Sequence, residues 1–488
     1  MNDHTAQIQL ALISHTNVGK TTLARTLTGM DVGEVRDAAH VTALAESHTL
    51  LCTAQGDRLL LWDTPGFGDS VRLYKRLSLS GNPVGWFLRE VVDKYRDRPF
   101  WLSQQAFRAA REHADVLLYL VNSAEDPQDT GYLAPEMQIL QWLQKPVVVL
   151  LNQMGPPRPA AEEGAEQARW QQALAGYPVV QRIIALDAFA RCWVHERVFY
   201  EAIAELLPAA GKNAYARLTA VWENNNAERF AAAMRLSAQQ LADAARDSQA
   251  IETEEEDSLV RSTVLKIVGL HKKRRQKQHD AAMSVLLSRL NENQNLATAG
   301  LLKLHQLDPG AAPRINERVR ENFVVRAPLD ARQAGLWGAL ISGAATGLTA
   351  DLMAGGLTLG GGALVGGVVG ALTFAGAAWG FNETTANKQA RVQFADVFLR
   401  SLVVASLLRY LAVAHFGRGR GNFVEGEAPA FWQAEAEQAV ALHEQRLAGL
   451  WPLLRAENSW GPAAKELHAL LSDITMEMLK KFYPSSRQ

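Results

Sequence analysis

The chain is 488 residues long, enough for two or three domains, and 48% of it is apolar, so a sizeable core is expected. Its formal net charge of −1 excludes a protein that coats nucleic acid by bulk electrostatics, and no DNA partner is expected. Cys52 and Cys192 are the only cysteines, which excludes a disulfide framework and fits a reducing compartment; the first residues lack the basic and apolar blocks of a signal peptide, so a cytoplasmic location is expected.

The first predicted element, Ile8 to Ser14, reads as a buried strand that runs into the loop Ser14-His15-Thr16-Asn17-Val18-Gly19-Lys20-Thr21. Thr22 to Leu27 then has helical spacing and stops before Gly29, a C-cap residue type. Strand, loop and helix in this order are the setting of a phosphate-binding loop, G-x-x-x-x-G-K-[ST], here with Ser14 at the first glycine position. Gly19 lets the backbone approach phosphates closely, and the amides of Asn17, Val18, Gly19, Lys20, Thr21 and Thr22 lead into a helix N-terminus that favours anions. Lys20 is expected on the β- and γ-phosphates and the Thr21 hydroxyl on Mg²⁺. No histidine or cysteine spacing suggests another metal-ligand cluster.

Arg58 to Trp62 is a second short strand, followed at once by Asp63-Thr64-Pro65-Gly66. These four residues make an ordinary turn, but one strand after a phosphate loop they also fit a nucleotide site. Asp63 would hold the Mg²⁺ shell and the Gly66 N–H would sense the γ-phosphate. Further strands at Asp115–Val121, Pro146–Leu151 and Val179–Leu186 alternate with helical stretches, which predicts a mostly parallel, doubly wound α/β sheet over residues 1–208.

Thr16-Asn17-Val18-Gly19-Lys20-Thr21, Asp63-Thr64-Pro65-Gly66 and the Asn152-bearing loop resemble a translation-factor-class P-loop GTPase of the Era/TrmE branch. The whole chain is similar in arrangement to bacterial GTPases with a helical C-terminal domain that contains a glycine-rich apolar segment. This resemblance implies a switch that binds GTP and GDP with Mg²⁺ and hydrolyses GTP. It implies Thr42, in Ala39-His40-Val41-Thr42, as the threonine that closes over Mg²⁺ and the γ-phosphate, the alternative being an ordinary loop threonine. Asn17 matches an asparagine that ligates K⁺ in that branch, the alternative being a brace within the loop. Lys20 and Asn17 are thus the expected catalytic pair. Phe67 stands where many GTPases carry a glutamine that orients water, which implies slow turnover without a partner or K⁺.

The guanine-reading motif of the family is Asn-Lys-x-Asp, whereas this chain has Asn152-Gln153-Met154-Gly155. Asn152 can still touch the base and brace the phosphate loop, and the Gln153 stem can stack on the ring, but Gly155 reads nothing. Asp187 and Ala188 occupy the family's Ser-Ala position. Asp187, Glu162 or Glu163 would replace the lost carboxylate, and spacing does not select among them. GTP is the first expectation and relaxed base specificity the alternative.

Residues 67–113 carry apolar anchors, Val84 to Leu88 and Phe100 to Leu102, among Arg89, Lys94, Arg96 and Arg98. They read either as an extra helix on the sheet or as a partner-binding lid beside the switch loops. A linker is predicted at Pro208–Lys212, then a helical domain over 209–333 that includes Glu228–Asp247. The basic run His271 to Lys277 would meet anionic lipid or RNA, or form a solvated helix face.

Between Ala334 and Phe381 the only charge is Asp351, and glycines recur four apart. As helices, Ala334–Ala350 and Gly361–Phe381 would span roughly 25 and 31 Å, against a hydrocarbon core of about 30 Å. The expectation is a glycine-rich helical hairpin that contacts membrane lipid at the inner face of the cell membrane. Its alternative is a buried soluble hairpin or an oligomer interface. Residues 382–488 complete an all-α C-terminal region, with Val392–Ala414 read as an amphipathic helix carrying Arg400 and Arg409 on its polar side. Three functional readings follow. The first is a membrane-associated GTPase switch, the second a ribosome- or RNA-associated GTPase, and the third a non-hydrolysing scaffold or NTPase of relaxed specificity.

Overall fold

The computed structural model describes residues 5–28, 45–79, 98–155, 157–187, 192–250, 270–316, 379–381, 391–415 and 429–483. Gln7–Ser14 (β1), Glu46–Cys52 (β2), Arg58–Asp63 (β3), Val116–Asn122 (β4), Val147–Asn152 (β5) and Val180–Ala185 (β6) form one sheet in the order β2-β3-β1-β4-β5-β6. β2 runs antiparallel to β3 at one edge, and the other pairings are parallel. The five expected strands are present close to their expected ends. β2 is an addition, since Glu-Ser-His-Thr-Leu-Leu-Cys has too little apolar character to signal a strand.

Lys20–Thr28 (α1), Ser70–Ser78 (α2), Arg98–Glu112 (α3), Leu133–Leu143 (α4), Ala160–Leu174 (α5) and Trp193–Leu206 (α6) pack around the sheet. Successive strand residues serve opposite faces. Leu10 and Leu12 of β1 join a core with α1 and α6, whereas Ala11 and Ile13 join a core with α2, α3, α4 and α5. Both faces are therefore covered, which is why the parallel strands read as unbroken apolar runs. Phe100 and Leu102 are buried, so this part of 67–113 packs on the sheet as an extra helix. Residues 80–97, with Val84 to Leu88, lie outside the described residues.

The expected linker is instead the first turn of a single 38-residue helix, Ala209–Arg246 (α7), with Pro208 at its N-cap. Alanine and lysine favour helix strongly enough to carry the one glycine there. Ala214, Tyr215, Leu218 and Trp222 of α7 belong to the sheet's core, whereas Phe230, Met234 and Leu241 belong to the core of the helical region. That region comprises Leu270–Leu304 (α8), Asp396–His415 (α9), Ala430–Leu442 (α10), Glu444–Ala456 (α11) and Pro462–Phe482 (α12). It is not purely α: Ser248–Ala250 (β7), Trp379–Phe381 (β8) and Arg391–Phe394 (β9) pair antiparallel in the order β7-β9-β8.

Two expectations are corrected here. Trp379–Phe381 is a strand, so the second arm of the glycine-rich segment does not stay helical to Phe381; residues 334–378 lie outside the described residues. Val392–Ala414 is a short strand followed by α9, and α9 is not amphipathic, because Arg409 is buried along with Tyr410 and most of its neighbours. Among the described residues α9 is the one helix long and apolar enough to cross a membrane, yet 72% of its apolar window is buried within the protein. It is a core helix.

The turn between β2 and β3 is tied to α7. Buried Asp57 accepts hydrogen bonds from the Ala6 N–H (3.1 Å), the Thr53 hydroxyl (3.2 Å) and Arg217 Nε (2.8 Å). The Arg217 bond, more than any other contact, holds the Asp57 carboxyl below its ordinary 3.8. Arg217→Ala should lower the unfolding free energy by about 1–2 kcal/mol at neutral pH, because a buried acceptor loses its charged donor. A depressed carboxylate stabilises the fold above its unfolded value and loses that contribution as pH falls through the folded value. The melting-temperature gap between wild type and Arg217→Ala should therefore be full at neutral pH and narrow below 3.8. A gap independent of pH would refute the ion-pair account.

Candidate nucleotide-binding site

The site is built at the carboxyl ends of β1 and β3. β1 stops at Ser14, the loop turns through Asn17 (φ 64°) and Gly19 (φ 94°), and α1 begins at Lys20. Only glycine adopts a φ of 94° without strain. A Cβ on Gly19 would also lie 2.8 Å from Asn152 Nδ2. Lys20 is buried, and its Nζ donates to Ser14 Oγ (2.8 Å) and the His15 carbonyl (3.3 Å). Ser14, the departure from the glycine pattern, is thus an acceptor for the loop lysine. Burial lowers the Lys20 ammonium to about 8, with Asp63 and Glu136 pulling the other way.

The Thr21 hydroxyl donates to Asp63 Oδ2 at 2.7 Å, which brings together the two side chains expected around one ion. Asp63 Oδ1 is buried without a hydrogen-bond partner, and burial raises the carboxyl despite Thr21 and Lys20. An orphaned carboxylate oxygen beside a hydroxyl fits Mg²⁺, a hard cation that takes few protein oxygens and completes its shell with phosphate and water. No group of three or more His, Cys, Asp or Glu side chains that could hold a metal occurs among the described residues. Gly66 closes the opposite wall, where a Cβ would come within 3.0 Å of Lys20 Nζ and 3.1 Å of Thr16 Cα. Phe67 donates its N–H to the Ser14 carbonyl (2.9 Å) and is fully buried in the core, so it does not face the site.

The base end lies across the phosphate loop. Asn152 Nδ2 donates to the Val18 carbonyl at 2.7 Å, the bracing role expected of it. Gln153, at φ 59°, reaches the Asn17 carbonyl with Nε2 at 3.5 Å. Asp187, after β6, accepts from the Met154 N–H at 2.7 Å and so lies against the Asn-Gln-Met-Gly loop. Thr22 follows Thr21 in the first turn of α1. Thr42 and Ala188 lie outside the described residues.

One part of the site was not anticipated from sequence. Fully buried Glu136 of α4 receives His15 Nδ1 (2.8 Å) and the Tyr119 hydroxyl (2.7 Å), and His15 stacks on Tyr132 at 4.2 Å between ring centroids. The Tyr132 hydroxyl in turn donates to Glu125. This network holds the backbone at His15, whose carbonyl accepts from Lys20. Its one signal in the sequence is an acidic residue inside the apolar helix Leu-Ala-Pro-Glu-Met-Gln-Ile-Leu.

A six-stranded mostly parallel sheet, a Gly19-Lys20-Thr21 loop at the end of β1 and an Asp63 that meets Thr21 define a P-loop GTPase domain. Consistent with this, the profile of the family described as 50S ribosome-binding GTPase matches residues 9–153. The chain itself belongs to the family described as Domain of unknown function (DUF3482), whose profile matches residues 179–469, more than half of its length.

Among solved structures, an Era variant from Aquifex aeolicus bound to GDP and AlF4⁻ is 20% identical, with 42% of this chain and 58% of that chain covered and a TM-score of 0.29. Era in complex with MgGDPNP and a 16S ribosomal RNA segment gives 20% identity, the same coverages and 0.31. The cytosolic domain of the T. maritima FeoB iron transporter gives 18%, 41% and 63%, and 0.24. The chain thus spans less than two thirds of these structures' length. No curated protein matches it.

Gly19→Ala should abolish the loop conformation, since it combines a positive φ, costing about 1–2 kcal/mol, with a contact of 2.8 Å at Asn152. Nucleotide affinity should fall by about 100-fold or more, consistent with the loss of several charge-assisted hydrogen bonds. Calorimetric titration with GDP and GTP checks this; unchanged affinity would mean that phosphates do not approach Gly19.

Proposed function

We propose that the chain is a slow guanine-nucleotide switch that converts GTP and water to GDP and phosphate, with its helical region as effector. The observation that carries this reading is the Thr21 hydroxyl 2.7 Å from Asp63 Oδ2, next to a buried Lys20 ammonium. Lys20 and the amides of Asn17 to Thr22 hold the triphosphate, and Gly66 meets its γ end. Thr21 and Asp63, with Thr42 as the third candidate, would hold Mg²⁺, which would neutralise negative charge on the triphosphate. Asn152, Gln153, Asp187 and Ala188 form the base pocket.

Because Phe67 is committed to the core, the residue after Gly66 offers no amide side chain to orient water, which supports slow turnover in isolation. Asn17 is the candidate K⁺ ligand, and K⁺ would supply positive charge at the reacting phosphates. The protein partner meets the switch loops and 67–113, where Val71 and Lys75 of α2 and the 87% exposed Leu79 just past its end face solvent. The apolar composition of 334–381 supports a lipid contact, and hence a cytoplasmic protein at the inner face of the cell membrane. The basic run on the first turns of α8 favours a second reading, an RNA-associated GTPase.

Phosphate release from GTP should be slow in Na⁺ and faster in K⁺. Lys20→Ala should weaken GTP binding by about 10- to 100-fold, the value of one charge-assisted contact of about 1.5–3 kcal/mol. No release in either salt would eliminate the hydrolase reading and leave a nucleotide-binding scaffold. Co-sedimentation with anionic liposomes but not with ribosomal particles is expected; the reverse result would favour the RNA reading.

A further inference from the structure

The loop after β5 carries no carboxylate to read a guanine, because Gly155 stands at that position. We propose that Asp187, on the loop after β6, is the base-reading carboxylate, so that selectivity for guanine has moved from one loop to its neighbour. The proposal rests on the guanine-nucleotide reading given above and adds its specificity determinant.

Three observations support the reassignment. Gly155 has φ 79°, and a Cβ built there would meet nothing within 4 Å, so the usual place of the carboxylate is open space. Asp187 occupies the neighbouring position, with Oδ2 2.7 Å from the Met154 N–H, one residue before that gap. Asn152, two residues before Met154, grips the Val18 carbonyl, so the same short loop touches both the phosphate loop and Asp187. The acidic alternatives are less suited. Glu162 is exposed, and Glu163 receives the N–H of Arg158, outside the Asn152–Gly155 loop, at 3.0 Å.

Guanine presents the N1–H and the exocyclic amine side by side as two donors. A carboxylate offers about four lone-pair sites and can accept from several donors at once. Xanthine replaces the amine with an oxo group, which a carboxylate repels; inosine lacks it altogether. Asp187 is 4% exposed, and a buried acceptor left facing the wrong base is costly. Adenine has an acceptor at N1 and offers no such pair.

The test uses the full chain with Mg²⁺ and measures affinity for GTP, ITP, XTP and ATP. Wild type should prefer GTP to ITP by ~10-fold or more and to XTP by a wider margin. Asp187→Asn keeps an oxygen that can accept the Met154 N–H while it turns an amide donor toward the base. It should weaken GTP and strengthen XTP by ~10-fold or more each, reversing the preference. Asp187→Ala should erase the GTP-over-ITP preference, and Glu163→Gln should leave it intact.

Retention of the GTP preference by Asp187→Asn, or its reversal by Glu163→Gln instead, would overturn the proposal. So would a wild type that does not distinguish GTP from ITP, a result that needs no variant to fold. A wild type that binds no guanine nucleotide would defeat the switch reading itself and is told apart because it precedes any substitution.

Discussion

A buried ammonium organises the nucleotide end of this sheet. Lys20 is buried, and its pKa falls to about 8 even though Asp63 and Glu136 oppose the shift. Its neutral acceptors, Ser14 Oγ and the His15 carbonyl, offset only part of the desolvation. The remaining deficit is what an anion can supply, so the loop geometry and the electrostatics point to the same ligand. The hydroxyl at position 14 belongs to this balance. The loop has exchanged a permissive residue for an acceptor, at a place where the backbone does not need positive φ.

Much of this was legible in the sequence because the relevant patterns are local. Buried parallel strands write themselves as unbroken apolar runs, and a phosphate loop is fixed by spacing, so the sheet, Lys20, Thr21 and Asp63 could be read directly. What escaped depends on contacts that are distant along the chain. Glu136 meets His15 across 121 residues, and its one local trace, an acid within an apolar helix, says nothing of that partner. β2 pairs along only one edge, so its residues need no strong apolar signal. Arg409 sits on what a helical wheel takes for a polar face, but α8, α10, α11 and α7 surround α9 and leave little of it to water. Proline, alanine, glycine and lysine together suggested a linker, and helix propensity prevailed.

Phe67 and Asp187 illustrate how position and orientation can separate. By its place after Gly66, Phe67 invites a chemical reading; its N–H bond to Ser14 turns the residue into the sheet's core, so its identity reflects packing. Asp187 lies at a place usually filled by a small residue, and its longer side chain reaches back onto the preceding loop. In both cases the backbone hydrogen bond, more than the position in a motif, determines what the side chain meets.

Helix α7 is a structural member of two cores at once. A boundary cut at residue 208 would strip Tyr215, Leu218 and Trp222 from the sheet and bare the apolar face that includes Ile8 and Leu59. Neither half is thermodynamically self-sufficient in that sense. Any ligand that binds only the folded sheet therefore lends its binding free energy to the helical half as well. Occupancy of one end can set how hard the other end is to melt, with no movement of either required.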